Sequence, residues 1–134
     1  MEDKKSIRQE VRRRIKSMSD EQKQHESAVV FAAIEATSVF RAATCVALFA
    51  AMWDEVPEGD AEVAAADIDL MIVPARAFTP QGDRLGRGGG FYDKYMSLPD
   101  FHAVKYGVAF ACQIFDSLPT DDHDIPVERV FIGE

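Results

Sequence analysis

The sequence predicts an α/β protein in which helices cover a mostly parallel β-sheet. Three observations predict it. The apolar runs at 43–50, 69–73 and 106–110 are continuous rather than alternating, as in strands buried on both faces. Helical patterns are interleaved with those runs. The chain has 134 residues, 47% of them hydrophobic, enough for one core and not two, so one domain over 1–134 is expected.

Residues 3–17 read as the first helix. Ile7, Val11 and Ile15 form a narrow apolar stripe, and Lys4, Arg8 and Arg12 form a basic stripe beside it. Ser19 is the expected N-cap of a second helix over 20–36, with Gln22 completing a capping box. The later part of that helix, AVVFAAIEA, is apolar almost all round and is expected to be well buried. The run ATCVALFA (43–50) is the first strand, DLMIV (69–73) the second, stopped by Pro74, and YGVAF (106–110) the third. Residues 91–98 read as a short helix ended by Pro99. Internal repeats and low-complexity linkers are absent from the sequence.

Composition narrows the function. A net charge of −8 argues against a nucleic-acid binder, which needs a basic face. The charge is uneven: 4–16 is basic, whereas 54–69 and 116–128 are acidic. An apolar run of membrane-spanning length and an N-terminal targeting segment are both missing, which predicts a cytoplasmic protein without membrane partners. Cys45 and Cys112 have no metal-ligand spacing and sit in apolar runs, so buried free thiols are expected.

The segment GDRLGRGGGFYD (82–93) carries five glycines and two arginines in its first nine residues. It lies between a buried strand and a helix, and ligands of open α/β sheets sit beyond the carboxyl ends of strands. Glycines let backbone amides approach an anion closely, and the following helix start favours negative charge. Arg84 and Arg87 add two permanent charges suited to phosphate. The pattern is neither a Walker A loop nor a Rossmann fingerprint, because its glycines fall as Gly86-x-Gly88-x-Gly90 with no Lys-Ser/Thr. A plain solvated loop is the competing reading. Asp93, in the first turn of the next helix, favours a phosphate site that also holds Mg2+, which takes one or two carboxylates together with phosphate oxygens and water. Asp121, Asp122 and Asp124 are the candidates for a second carboxylate, and His123 beside them reads as a surface residue.

GDRLGRGGGFYD, with DLMIVPARAF before it and LPTDDHDIPVERVF after it, resembles the signature region of the 5-formyltetrahydrofolate cyclo-ligase (methenyltetrahydrofolate synthetase) family. The likeness extends to Lys4 and Arg8 and to LFAAMWDEV after the first strand. It implies a three-layer α/β/α sandwich of the NagB/RpiA/CoA-transferase-like kind, here shortened. The implied reaction uses ATP and Mg2+ to turn 5-formyltetrahydrofolate into 5,10-methenyltetrahydrofolate, releasing ADP and phosphate. The formyl oxygen is phosphorylated, the folate nitrogen at position 10 attacks, and phosphate leaves, so catalysis rests on positioning and charge neutralisation.

Carried over by position, the family's ATP contacts fall on Lys4, Arg8, Arg84, Leu85, Gly86, Arg87, Gly88, Gly89, Gly90, Phe91 and Tyr92. Its folate contacts fall on Ala50, Glu55 and again Arg87, Gly88, Gly89, Gly90 and Phe91. Its Mg2+ carboxylates fall on Asp93 and Asp124, and the resemblance gives the catalytic roles to Arg87 and Asp93. Gly89 stands where many members carry Lys. The family's chain also passes through a helix and two strands where VPEGDAEVAAA (56–66) is all that is present here. Two further readings stay beside the cyclo-ligase: a nucleotide-binding module with a weak folate site, and a structural domain that binds anions incidentally. A monomer is expected, with a dimer as the alternative because a shortened sheet exposes edges.

Overall fold

A computed structural model of the chain describes residues 3–48, 65–86, 91–121 and 124–134, with Leu48, Phe91 and Tyr92 described in their backbone alone. Helix α1 (Lys4–Lys16) starts where the Asp3 side chain accepts the Ser6 amide, and Arg13, Arg14 and Lys16 in its last turn oppose the negative end of its dipole. Helix α2 (Asp20–Glu35) begins at the expected Ser19 cap, whose hydroxyl accepts the Gln22 amide at 3.0 Å. The Gln22 side chain turns the other way, donating to Glu26 at 2.6 Å, so half of the expected capping box is in place. Helix α3 (Ser38–Ala42), capped by Thr37, was not anticipated. Then come β1 (Val46–Leu48), β2 (Leu70–Pro74), β3 (Ala77–Phe78), β4 (Arg84–Leu85), helix α4 (Phe91–Met96), β5 (Val104–Ala109) and β6 (Arg129–Ile132).

Four strands form a parallel sheet in the order β1-β2-β5-β6, and β3 and β4 form a separate antiparallel pair. Alternation along β2 sends Leu70 and Ile72 to one face and Met71 and Val73 to the other. On the first face they meet Val30 and Ile34 of α2, with Tyr106 and Phe131 in ring contact at 4.9 Å. On the second they meet Phe78, Met96 of α4 and Val127. Both faces are covered, which makes the expected α/β/α sandwich. Gly107 on β5 is opposite Val73 in the ladder, and a Cβ there would lie 2.6 Å from the Phe78 ring, so glycine is what lets that ring seat against the sheet.

Four expectations are corrected. α2 is not buried all round: Val30 and Ile34 are, but Val29 and Phe31 are 37% and 41% exposed. The helix has one sheet face to pack on, and the rest of its later part, Ala28, Val29, Phe31, Ala32 and Ala33, remains in water. Cys45 and Cys112 are free, as expected, but half-buried. Strand limits move: the first begins at Val46, and the third starts two residues earlier, at Val104. The fourth strand, β6, and the hairpin β3–β4 were missed; RVFI near the chain end and two short runs around TPQGD were their available signals. Among the described residues, no helix is long and apolar enough to cross a membrane.

Glu26 ties α2 to the segment after β5. It is 4% exposed, accepts the Ala111 amide at 2.8 Å and takes the Gln22 side chain on its other oxygen. Glu26→Ala removes a buried carboxylate that accepts two hydrogen bonds, so unfolding free energy in a denaturant titration is expected to fall by about 1–3 kcal/mol.

Candidate functional site

Helix α1 packs on the hairpin rather than on the four-stranded sheet. Ile7 and Val11 meet Ala77 and Leu85, with Ile15, Phe115 and Leu118 at the margin. The hairpin pairs Ala77 with Leu85 and Phe78 with Arg84. Its three-residue loop, Pro80-Gln81-Gly82, is closed by the Gly82 amide on the Thr79 carbonyl at 3.1 Å and by the Asp83 amide on the Thr79 hydroxyl at 3.1 Å. Gly82 has φ 106°, and a Cβ there would lie 2.2 Å from the Val127 carbonyl oxygen, so the turn requires glycine twice over. Burial of the apolar stripe of α1 on this hairpin turns the adjoining Lys4 and Arg8 toward the glycine segment and the acidic loop.

Arg84 is at the centre. Its side chain is 2% exposed, its Nη2 donates to Asp93 Oδ1 at 2.6 Å, and its Nε donates to the Ile125 carbonyl at 3.1 Å. The Ile125 amide donates back to the same Asp93 oxygen at 2.9 Å. Strand β4, the first turn of α4 and the chain beside Asp124 are thereby closed into one network. Arg8 Nε donates to the Gly86 carbonyl at 2.8 Å, which fixes the entrance of the glycine segment to α1.

Lys4 Nζ lies 2.9 Å from both Asp121 Oδ2 and Asp124 Oδ2, and the Asp121 amide donates to that Asp124 oxygen at 2.7 Å. The bonds to Asp124 and Asp121 hold the Lys4 ammonium above its ordinary pKa. Burial pushes the Asp124 carboxyl up, but the Lys4 bond, the Asp121 amide and the charges of Lys4 and Arg84 outweigh it and the net shift is downward. The pair therefore stays ionised across the neutral range.

The structure brings together Lys4, Arg8, Gly86, Asp93 and Asp124, from segments far apart in the sequence. It moves two expected ligand contacts inward. Arg84 is committed to Asp93 and Ile125 inside the protein, and Leu85 is 1% exposed in the core under α1, because both lie on a strand rather than in a loop. Ala50, Glu55, Arg87, Gly88, Gly89 and Gly90 lie outside the described residues, as do Asp122, His123 and the side chains of Phe91 and Tyr92. Sequence reasoning missed Gln113, which is buried, donates to the Ala75 and Arg76 carbonyls at 2.9 and 3.0 Å and accepts the Phe110 amide. It props the chain where it leaves β2, and nothing in the sequence pattern marks it.

The donor set suits a metal that brings its own ligands. Among the described residues, no three His, Cys, Asp or Glu side chains form a metal cage. Asp93 and Asp124 each spend one oxygen on internal bonds, and the other accepts no hydrogen bond from the described residues. Two such carboxylates fit Mg2+, which completes its shell with water and phosphate oxygens.

Fold and site together define an α/β protein in which a helix, a hairpin and the loops beside the parallel sheet gather lysine, arginine, glycine and aspartate at one place. The model of the 5-formyltetrahydrofolate cyclo-ligase family matches residues 53–133, and the chain belongs to that family. A 5-formyltetrahydrofolate cyclo-ligase of Haemophilus influenzae is 35% identical over 68 residues, which cover 50% of this chain and 36% of that protein. The chain thus aligns with little more than a third of that relative's length. The 5,10-methenyltetrahydrofolate synthetase of Aquifex aeolicus, solved by NMR, superposes with a TM-score of 0.77 at 23% identity, over 96% of this chain and 89% of the other. A 5,10-methenyltetrahydrofolate synthetase from Mycoplasma pneumoniae superposes with a TM-score of 0.75 at 18% identity, over 97% and 98%. At these identities the two structures establish the fold.

Two cations of the site should separate by stability. Arg84→Ala leaves Asp93 without its buried partner and is expected to cost about 3 kcal/mol. Lys4→Gln removes a partly exposed pair and should cost about 1 kcal/mol or less. Thermal or denaturant unfolding of the two variants checks the difference.

Proposed function

We propose that this chain, folded as a single domain, carries out the ATP- and Mg2+-dependent cyclisation of 5-formyltetrahydrofolate to 5,10-methenyltetrahydrofolate. The observation that carries the reading is the meeting of Lys4 and Arg8 with Gly86, Asp93 and Asp124 around one buried arginine. Lys4, Arg8 and the amides and guanidinium of 86–90 bind the triphosphate. Asp93 and Asp124 hold the metal. Bound Mg2+ would neutralise phosphate oxygens and align the terminal phosphoryl group with the formyl oxygen of the substrate. Arg87 offsets charge on that group during transfer. Arg84 and Leu85 act from beneath: one orients Asp93, the other seats the strand that leads into the loop. Glu55 and Ala50, after the first strand, take the pterin side of the folate, with Phe91 and Tyr92 as apolar walls.

A second reading has its own support. The chain aligns with 36% of its Haemophilus relative's length, and only 56–66 spans the interval where the resemblance implies additional secondary structure. On that reading the nucleotide site is retained and the folate site is open, with little turnover, because water reaches the phosphorylated formyl group.

Separate titrations decide between them. Mg·ATP is expected to bind by calorimetry, with 5-formyltetrahydrofolate weaker and the appearance of methenyltetrahydrofolate absorbance slow. Tight folate binding with fast turnover would discard the second reading. Arg87→Ala is expected to weaken ATP about tenfold or more, as for loss of a charge-assisted contact, without lowering stability; an unchanged affinity removes the phosphate role of the loop.

Asp93→Asn and Asp124→Asn should each raise the Mg2+ concentration needed for nucleotide binding. Wild-type Mg2+ dependence in both variants would show that the metal is held elsewhere.

A further inference from the structure

We propose that the Lys4 ammonium is a tethered stand-in for the metal, seated between Asp121 and Asp124, and that it makes metal binding conditional on the nucleotide. The inference rests on the Mg·ATP reading and adds a device to it. Lys4 Nζ sits 2.9 Å from an oxygen of each carboxylate, so its charge already engages Asp124, one of the two carboxylates assigned to the metal. The two cations of the site that are paired with carboxylates differ in their freedom to leave. Arg84 is 2% exposed in its side chain and has a second anchor on the Ile125 carbonyl, so it cannot leave Asp93 without unpacking the network. The Lys4 side chain is 26% exposed, stands in the first turn of α1, and ends a flexible four-carbon stem whose charge rotates freely among partners.

Arg8, one turn further along α1, is held on the Gly86 carbonyl. An ammonium leaving the carboxylates therefore remains beside the start of the glycine segment, where the phosphates are placed. A metal ion entering alone must either draw Asp124 away from Lys4 or share that carboxylate with the ammonium, and in both cases it bears the repulsion of a cation tethered nearby. A metal ion arriving on a triphosphate brings anionic oxygens that receive the ammonium. Charge is then exchanged rather than stripped, and the two ligands bind with positive coupling.

The test uses the full chain, Mn2+ as the metal probe followed by electron paramagnetic resonance, and a non-hydrolysable ATP analogue. In the wild type, Mn2+ alone is expected to bind weakly and to bind more tightly once the analogue is present. Lys4→Gln and Lys4→Met, checked for folding by circular dichroism, are each expected to bind Mn2+ alone about fivefold tighter or more and to lose most of the gain given by the analogue, in the usual range of coupling between sites. Unchanged or weaker binding of Mn2+ alone in both variants overturns the proposal, since it means the ammonium does not compete for the carboxylates. The metal-alone comparison contains no nucleotide. Failure of the wild type to bind the analogue therefore sinks the nucleotide reading, and with it the conditional part of the proposal, while competition at the carboxylates is still read directly.

Discussion

The site depends on one buried guanidinium. Arg84 joins β4 to the first turn of α4 through Asp93 and to the backbone at Ile125, and the Ile125 amide closes the ring on the same carboxylate oxygen. Taking such charges out of water is costly, and the Ile125 peptide offsets part of that cost by accepting from Arg84 Nε and donating to Asp93. Its neighbour is chosen accordingly. A Cβ on Gly86 would lie 3.3 Å from Arg84 Nη1, so a side chain at that position would press on the guanidinium it follows. The orientation of Asp93, the course of the chain at Asp124 and the start of the glycine segment all follow from where this one side chain points.

The layer above it is set by packing. α1 contributes Ile7 and Val11 to a small core with Ala77 and Leu85, and the same helix then carries Lys4 and Arg8 to the acidic loop and to Gly86. A helix on the sheet would have placed those cations elsewhere. The hairpin is the platform that makes the difference, and its loop is held to the chain before β6 by the Val127 amide on the Gly82 carbonyl. Gly82 and Gly107 serve the same junction from two sides: one admits the Val127 carbonyl, the other admits the Phe78 ring and the Val127 side chain.

What the sequence made legible follows from range. The periodicities of α1 and α2, the Ser19 cap and the continuous apolar runs of β2 and β5 are local signals, and each led to the right element within a few residues. The adjacency of the Lys4–Arg8 stripe to Ile7 and Val11 was also legible, since it is a property of one helix. The partners of that stripe were not, because Lys4 meets Asp121 across 117 positions and Arg8 meets Gly86 across 78. Arg84 shows the limit most clearly. In the sequence it looks like one of two equivalent cations in a glycine loop, and only the two-residue strand β4, too short for periodicity to register, turns it inward. Asp121, Asp122 and Asp124 were candidates together, because spacing cannot tell which aspartates of a cluster an ammonium will reach; the fold puts Lys4 on Asp121 and Asp124.

Charge pairing also bears on which form of nucleotide this site admits. The protein carries a net charge of −8, so its general field opposes the approach of a polyanion. The described residues of the site do not counter this with a free basic patch: Arg84 is spent on Asp93, Lys4 on Asp121 and Asp124, and Arg8 on a backbone carbonyl. Under the proposed function, an incoming bare triphosphate meets a region already close to neutral and must pull cations away from aspartates that then stand unpaired beside it. A triphosphate that arrives with its metal has less charge to bring through the field, and it supplies the aspartates with a replacement cation at the moment Lys4 is taken. The same pairing that keeps the unliganded site ordered therefore favours the metal complex over either component alone, and it does so through the exchange of partners rather than through an excess of positive charge.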